Sequence, residues 1–154
     1  MSSELKSEIE FEIEELRKLL SMFSNLRQKV SQSIPNDTEI VALAAFLHSF
    51  YSGMENIFKR ILINMKETLS HGESWHIDLL ERMTQSDERR SAVISMQLYK
   101  TLLKYLGFRH MFRHAYTFHL NWERMEPLVR ECEDTFHAFE NELTLFVEEI
   151  KGKE

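Results

Sequence analysis

The sequence predicts an all-α protein, an up-and-down bundle of four long helices and one short helix. Apolar residues recur at spacings of three and four along most of the 154 residues, which is the period of an amphipathic helix. Only four glycines and two prolines interrupt the chain, so long loops and hairpin turns are scarce. Short connections favour antiparallel neighbouring helices. We expect a single domain spanning residues 1–154, which is large enough to bury a core.

The first two predicted helices occupy the N-terminal half of the chain. The first has one apolar stripe, formed by Ile9, Ile13, Leu16, Leu20, Phe23, Leu26 and Val30. Pro35 ends this helix, and Asn36 or Asp37 is a candidate N-cap for the next. The second helix runs from about Thr38 to Leu69 and is apolar on more than one side. We therefore expect the second helix to lie at the centre of the bundle.

Three more helices are predicted in the C-terminal half. Ser74 can cap a short helix, WHIDLLERM. A polar turn leads into a helix from about Ser91 to Leu106, and Gly107 stands at the usual C-terminal stop. A last long helix follows HLNW and has Pro127 in its early turns, where proline removes a backbone donor.

Charge and cysteine content limit the classes of protein to consider. The net charge is -6, with acidic residues concentrated at both ends of the chain. A basic zone between them contains Lys100, Lys104, Arg109, Arg113 and Arg124. Such a protein is unsuited to coating nucleic acid generally, but one basic zone can bind an anionic ligand.

The expected location is the cytoplasm. The single cysteine, Cys132, cannot form an internal disulfide, which favours a reducing compartment. The opening MSSELKSEIE has no apolar segment, so we expect no signal peptide. The most apolar stretch, IVALAAFLHSFYSGM, is too short and too polar to span a membrane.

The segment FRHMFRHAY carries the most informative group of residues. Arg109 and His114 lie in it with His110, Arg113 and Tyr116. Histidine exchanges protons near about pH 6.5, and arginine offers a charged fork to phosphate oxygens. Together they suit RNA cleavage, in which a base removes the 2′-hydroxyl proton and the arginine stabilises charge at phosphorus. RNA supplies its own nucleophile, so this chemistry needs no metal.

Two other interpretations of this segment come from residue types alone. Basic residues near a helix C-terminus are also favoured by the helix dipole and by solvation. His110 and His114 have the i,i+4 spacing of zinc ligands, but no third ligand stands out. The remaining histidines are scattered, and each is expected to be structural or on the surface: His48, His71, His76, His119 and His137.

The spacing Arg109-x4-His114-x-Tyr116 resembles the signature of HEPN-domain proteins, and in particular that of HepT-type toxins. In that pattern a polar residue, here His110, follows the arginine, and the histidine lies near the end of a helix. The segments FYSGMENIFKRIL and LNWERMEPLV and the all-helical character agree with it. The resemblance covers about residues 4–150, with the first helix similar in character only.

The resemblance implies a metal-independent endoribonuclease, the toxin of a type VII-like toxin–antitoxin pair. Arg109 and His114 would carry the reaction, with His110 assisting and Arg113 in support. Tyr116 would be the residue to which a cognate minimal nucleotidyltransferase antitoxin transfers AMP from ATP. HEPN domains pair as two-fold dimers whose motifs meet in a shared cleft, so we expect a homodimer. RNA is the expected substrate, with no DNA partner, no cofactor and no metal.

Other functions remain open from the sequence. A non-catalytic HEPN partner could bind nucleotide or scaffold a nucleotidyltransferase, since a fold does not determine a function. A plain structural bundle would leave the segment FRHMFRHAY unexplained. Glu55 is a candidate to orient a histidine or an arginine, although Glu55 and Lys59 are also spaced as an i,i+4 surface pair.

Overall fold

The computed structural model describes residues 2–69, 71–116 and 119–152, and within these ranges the regular structure is entirely helical. The predicted all-α class is therefore confirmed. Seven helices lie in the described ranges: α1 (Ser2–Met22), α2 (Ser24–Val30), α3 (Asp37–Asn64), α4 (Trp75–Arg82), α5 (Met96–His114), α6 (Trp122–Arg130) and α7 (Cys132–Gly152). None of these helices combines the length and the apolarity that crossing a membrane requires.

The central helix is α3, as the sequence predicts. Asn36 caps this helix. Its side-chain oxygen accepts from the backbone amide of Glu39 at 2.8 Å, and the Glu39 carboxylate accepts from the backbone amide of Asn36 at 3.0 Å. Helices α1, α4, α5 and α6 all pack against α3. Because α3 is covered on several sides, fully buried residues such as Phe46, Phe50 and Phe58 lie along its length. The carboxyl group of Glu55 is also buried there.

The N-terminal stripe forms two helices, so the prediction of one continuous helix is wrong at Phe23. There the backbone leaves helical geometry, with φ -98° and ψ 5°, and α2 begins at Ser24. The Phe23 ring packs against Phe46 of α3, with the ring centroids 5.1 Å apart. The spacing of apolar residues by three and four continues through Phe23, so the sequence does not distinguish it from a residue in the middle of a helix. Only the structure shows the break.

Helix α3 ends at Asn64, earlier than the predicted end at Leu69. Lys66 adopts a left-handed conformation with φ 56°, and the Glu67 amide donates to the Leu62 carbonyl at 2.9 Å. This closure satisfies a carbonyl of the last turn, in the manner of a helix C-cap. It also turns the Glu67 side chain back into the protein, where that side chain is 1% exposed.

Glu67 holds together the two connections that flank α4. Its carboxylate accepts from Arg90 Nε at 2.7 Å and from Arg90 Nη2 at 3.1 Å. Arg82 Nη2 donates to the same carboxylate at 2.9 Å. The Arg90 side chain is 3% exposed and also donates to the carbonyls of Gln85, Ser91 and Arg82. A buried ion pair that is satisfied in this way becomes costly when one partner is removed.

We expect Glu67→Ala to lower the free energy of unfolding by about 3–5 kcal/mol, because it leaves the Arg90 guanidinium buried without its carboxylate. Urea denaturation measures the change. The matched control is Glu88→Ala, an exposed position in the connection between α4 and α5 that contains Arg90, where a change within about 0.5 kcal/mol is expected. Equal effects of the two substitutions would contradict a structural role for the Glu67 pair.

Helix α5 runs from Met96 to His114, so the predicted stop at Gly107 is wrong. Glycine inside a helix costs about 1 kcal/mol relative to alanine, and tertiary contacts on both sides of Gly107 oppose that cost. Tyr105 donates its hydroxyl to the Leu128 carbonyl at 2.7 Å, and the Phe108 side chain is buried. The start also differs from the predicted Ser91: Ser95 caps the helix by accepting from the Leu98 amide at 3.1 Å.

The predicted last long helix is two helices, α6 and α7, separated at Glu131. Pro127 lies inside α6, and its carbonyl accepts from the Glu131 amide at 3.0 Å. The chain therefore continues past proline for one turn before the helical geometry breaks. Cys132, the first residue of α7, is fully buried. Burial raises the pKa of its thiol to about 11, which agrees with an unreactive thiol.

Candidate functional site

The last turns of α5 form one wall of an open cleft, and the beginning of α4 forms the opposite wall. The α5 side contributes Leu103, Leu106, Gly107, Arg109, His110, Arg113 and His114, and the other side contributes Glu73, Trp75, His76 and Ile77. The extension of α5 beyond Gly107 places the predicted motif on a helix instead of in a following loop. The cleft thus combines two arginines with three histidines and a tryptophan.

Helical spacing explains why the motif residues of α5 share one side. Residues four positions apart are neighbours on a helix surface, so Arg109 lies beside Arg113 and His110 lies beside His114. The His110 and His114 ring centroids are 4.8 Å apart. Of the predicted catalytic residues, all three therefore line the cleft, together with the predicted supporting Arg113.

Helix α3 fixes the position of the Arg109 side chain. Its Nε donates to Ser52 Oγ at 3.1 Å, and the residue is half-buried. Within the described ranges, no carboxylate forms an ion pair with Arg109 or Arg113. Neither of these two side chains is held in an ion pair there, although Glu73 lines the same cleft and the protein as a whole is acidic. An arginine fixed at one nitrogen still has donors to offer an anionic ligand.

A polar stripe on α3 lies beneath the motif. It consists of His48, Ser52 and Glu55, at helical spacings of four and three, with Tyr51 beside them. Burial lowers the pKa of His48, and the charges of Arg109 and Arg113 lower it further. Burial raises the pKa of Tyr51, so its hydroxyl stays protonated at neutral pH. These shifts agree with a water-poor layer between α3 and the cationic end of α5.

Glu55 contacts a histidine that the sequence did not single out. Its side chain is 2% exposed, and Oε2 lies 2.8 Å from Nδ1 of His76 on α4. The alternative of a surface pair with Lys59 does not occur, because Lys59 Nζ lies over the Trp75 ring, 4.7 Å from its centroid. His76, which was expected to be structural or on the surface, lines the cleft. The only sequence signal for this contact was a glutamate among the apolar positions of α3.

Tyr116 lies beyond the end of α5 and is separate from the residues that line the described part of the cleft. Ala115 caps the helix in an extended conformation. The residue Tyr116 is 72% exposed, and its ring meets His119 edge-on with a centroid distance of 6.2 Å. The His119 amide also donates to the Tyr116 carbonyl at 2.9 Å. The phenol is thus accessible from outside, two residues from His114.

The chemistry available in the cleft is anion binding and proton transfer. Arg109 and Arg113 can bind phosphate oxygens, and the imidazoles can accept or donate protons. The i,i+4 pair of His110 and His114 would supply two of the ligands of a zinc site. Over the described ranges, no third histidine, cysteine, aspartate or glutamate joins them in a group able to hold a metal ion.

Comparison with known proteins places the chain in a family. No curated protein and no solved structure matches it significantly. A family model described as "HepT-like protein" matches residues 42–150, which is more than half of the chain. The match begins inside α3, later than the start near residue 4 that the resemblance suggested, and includes α4, α5 and the whole cleft. The chain belongs to the HepT-like family of HEPN-domain proteins.

Proposed function

We propose that the protein is the toxin component of a type VII-like toxin–antitoxin pair and that it cuts RNA without a metal. One observation carries the proposal: Arg109 and His114 line the same cleft, and no carboxylate in the described ranges pairs with its arginines. A neutralised arginine would be a structural ion pair, whereas an unpaired one can bind phosphate. Membership of the HepT-like family supports the toxin assignment.

The proposed reaction is an internal transesterification of RNA. His114 takes the proton of the 2′-hydroxyl, the 2′-oxygen forms a bond to phosphorus, and the bond from phosphorus to the 5′-oxygen breaks. Arg109 stabilises the charge on the phosphoryl oxygens as that charge develops. The products are a 2′,3′-cyclic phosphate and a free 5′-hydroxyl end. His110 assists His114 from the preceding turn, and Arg113 binds a neighbouring phosphate.

Adenylylation of Tyr116 is the proposed control of this activity. The residue Tyr116 is 72% exposed, which supports its entry into the active site of a second protein, a minimal nucleotidyltransferase antitoxin. Its hydroxyl oxygen attacks the α-phosphorus of ATP and pyrophosphate leaves. The attached AMP adds a negative phosphate and a bulky nucleoside two residues from His114. Both features disfavour RNA at the entrance of the cleft.

Pairing of two chains belongs to the same proposal. In a two-fold homodimer the same surface of each chain meets its copy, and two cleft mouths brought together would double the number of unpaired arginines along one path. That arrangement would concentrate RNA at the clefts, while the acidic remainder of the surface repels it.

A non-catalytic partner that binds nucleotide or scaffolds a nucleotidyltransferase is the second candidate function. Trp75 favours it, because a tryptophan beside arginines also suits the base and phosphates of a bound nucleotide. In that case the cleft would hold a nucleotide without cutting RNA.

Cleavage of total RNA by the purified protein in excess EDTA tests the proposal. We expect cutting that survives EDTA and leaves 2′,3′-cyclic phosphate ends. Mass spectrometry of Tyr116 accompanies the assay, because a protein that already carries AMP is expected to be silent. An unmodified protein that binds nucleotide and does not cut RNA would instead support the non-catalytic candidate.

A further inference from the structure

We propose that His76 is a second proton-transfer residue of the cleft, which protonates the leaving 5′-oxygen, and that Glu55 is its positioning residue. This inference rests on the proposed ribonuclease function and adds a residue from outside the Arg109-to-Tyr116 motif. His76 comes from α4 and His114 from α5, so the two imidazoles line the cleft from two different helices. That placement suits one proton transfer on each side of a phosphate.

The contact with Glu55 determines which nitrogen of His76 faces a ligand. Glu55 Oε2 lies 2.8 Å from His76 Nδ1. In the proposed arrangement the Glu55 carboxylate accepts this hydrogen bond, because an ionised carboxylate donates none, and His76 Nδ1 donates it. Nε2 is then the nitrogen left to exchange a proton with a substrate. The His76 side chain is 17% exposed and Glu55 is 2% exposed. The carboxylate is therefore inside the protein, and the imidazole lies between it and the cleft.

A second contact fixes the plane of the His76 ring. Trp75 lies against it with ring centroids 3.6 Å apart and an interplanar angle of 31°. The Trp75 ring also carries the ammonium group of Lys59, 4.7 Å from its centroid. The imidazole is thus restrained by a hydrogen bond at one edge and by an aromatic ring on one face. Restraint of this kind is what a proton-transfer group needs in order to act without reorganising.

The reaction requires such a donor because the 5′-oxygen leaves poorly as an alkoxide. In this step His76 begins as an imidazolium, with one proton on Nδ1 toward Glu55 and one on Nε2. As the bond from phosphorus to the 5′-oxygen breaks, the Nε2 proton passes to this oxygen, which becomes the 5′-hydroxyl, and His76 is left neutral. The 2′-hydroxyl proton passes to His114 in the same turnover. One proton is therefore taken up and one is released, and the charges balance without a metal or a further reactant.

The test compares an ordinary RNA with an RNA whose scissile 5′-oxygen is replaced by sulfur, which leaves without protonation. The variant is His76→Asn, because its amide nitrogen retains a donor for Glu55 while Nε2 is lost. On ordinary RNA we expect a rate about 10²–10⁴-fold below wild type. On the 5′-thio RNA we expect a rate within about tenfold of wild type, since loss of acid catalysis no longer matters. The control is His137→Ala, an exposed histidine of α7, with no expected effect on either substrate.

Two results would overturn this assignment while the proposed function stands. If His76→Asn cuts ordinary RNA at the wild-type rate, the leaving group is protonated elsewhere. If the variant loses the same factor on both substrates, His76 has only a structural role. Failure of the wild-type, unmodified protein to cut either RNA is a different outcome, because it removes the ribonuclease proposal and this inference with it.

Discussion

We expect His114→Ala to lower the rate of RNA cleavage by about 10²–10⁴-fold, the usual contribution of a general base. His114 is the last residue of α5 and is exposed, so its removal leaves no cavity and no buried polar group. Circular dichroism and thermal unfolding should therefore match wild type. Cleavage of a defined RNA at saturating protein, with excess EDTA, measures the loss.

The 5′-thio RNA distinguishes the proposed general base, His114, from the proposed general acid, His76. A sulfur leaving group removes the need for an acid but leaves the need for a base, so the His114→Ala defect should persist on this substrate while the His76→Asn defect should not. His137→Ala is the matched control for loss of an exposed histidine elsewhere in the bundle. A His114→Ala protein that still cuts RNA at the wild-type rate would remove the proposed mechanism.

Tyr116→Phe should abolish AMP attachment, because the substitution deletes the hydroxyl oxygen that attacks ATP and keeps the ring. The measurement is intact-protein mass after incubation with ATP and the minimal nucleotidyltransferase antitoxin. Wild type should gain the mass of AMP and lose ribonuclease activity. The variant should keep both its mass and its activity, so cells that carry it should no longer be protected by the antitoxin.

The matched control for this prediction is Tyr99→Phe. Tyr99 is a residue of α5, but it is half-buried and its hydroxyl donates to Glu81 at 3.4 Å. We expect this variant to be adenylylated like wild type. An unchanged mass gain in Tyr116→Phe would place the modified residue elsewhere in the chain.

Helix identity and the order of the helices were predictable because their signals are local. The recurrence of apolar residues every three or four positions in α3, together with the Asn36 cap, depends on residues within a few turns of one another. Helix ends were less predictable. Glycine commonly ends a helix, so Gly107 predicted the end of α5. Burial of Phe108 and the hydrogen bond from Tyr105 to Leu128 instead stabilise the helix on both sides of Gly107.

Some residues of the candidate site were likewise predictable from the sequence, and others were not. Arg109, His110, Arg113 and His114 could be assigned to one site from the sequence, because they lie together in one short segment, FRHMFRHAY. Glu55 could be named, since a charged residue among apolar positions is unusual in a buried helix. Its partner could not be named, because several histidines and arginines of the chain were equally available in the sequence.

The sequence by itself determined the all-helical class, the central position of α3 and the cationic motif, because each follows from periodicity or spacing along one segment. Only the tertiary structure decided that α5 continues through Gly107, that Ser52 holds Arg109 and that Glu55 meets His76. The physical reason is that these features depend on contacts between different helices. Glu55 and His76 lie on α3 and α4, and the packing of those helices, not the chain between them, sets the distance between the two side chains.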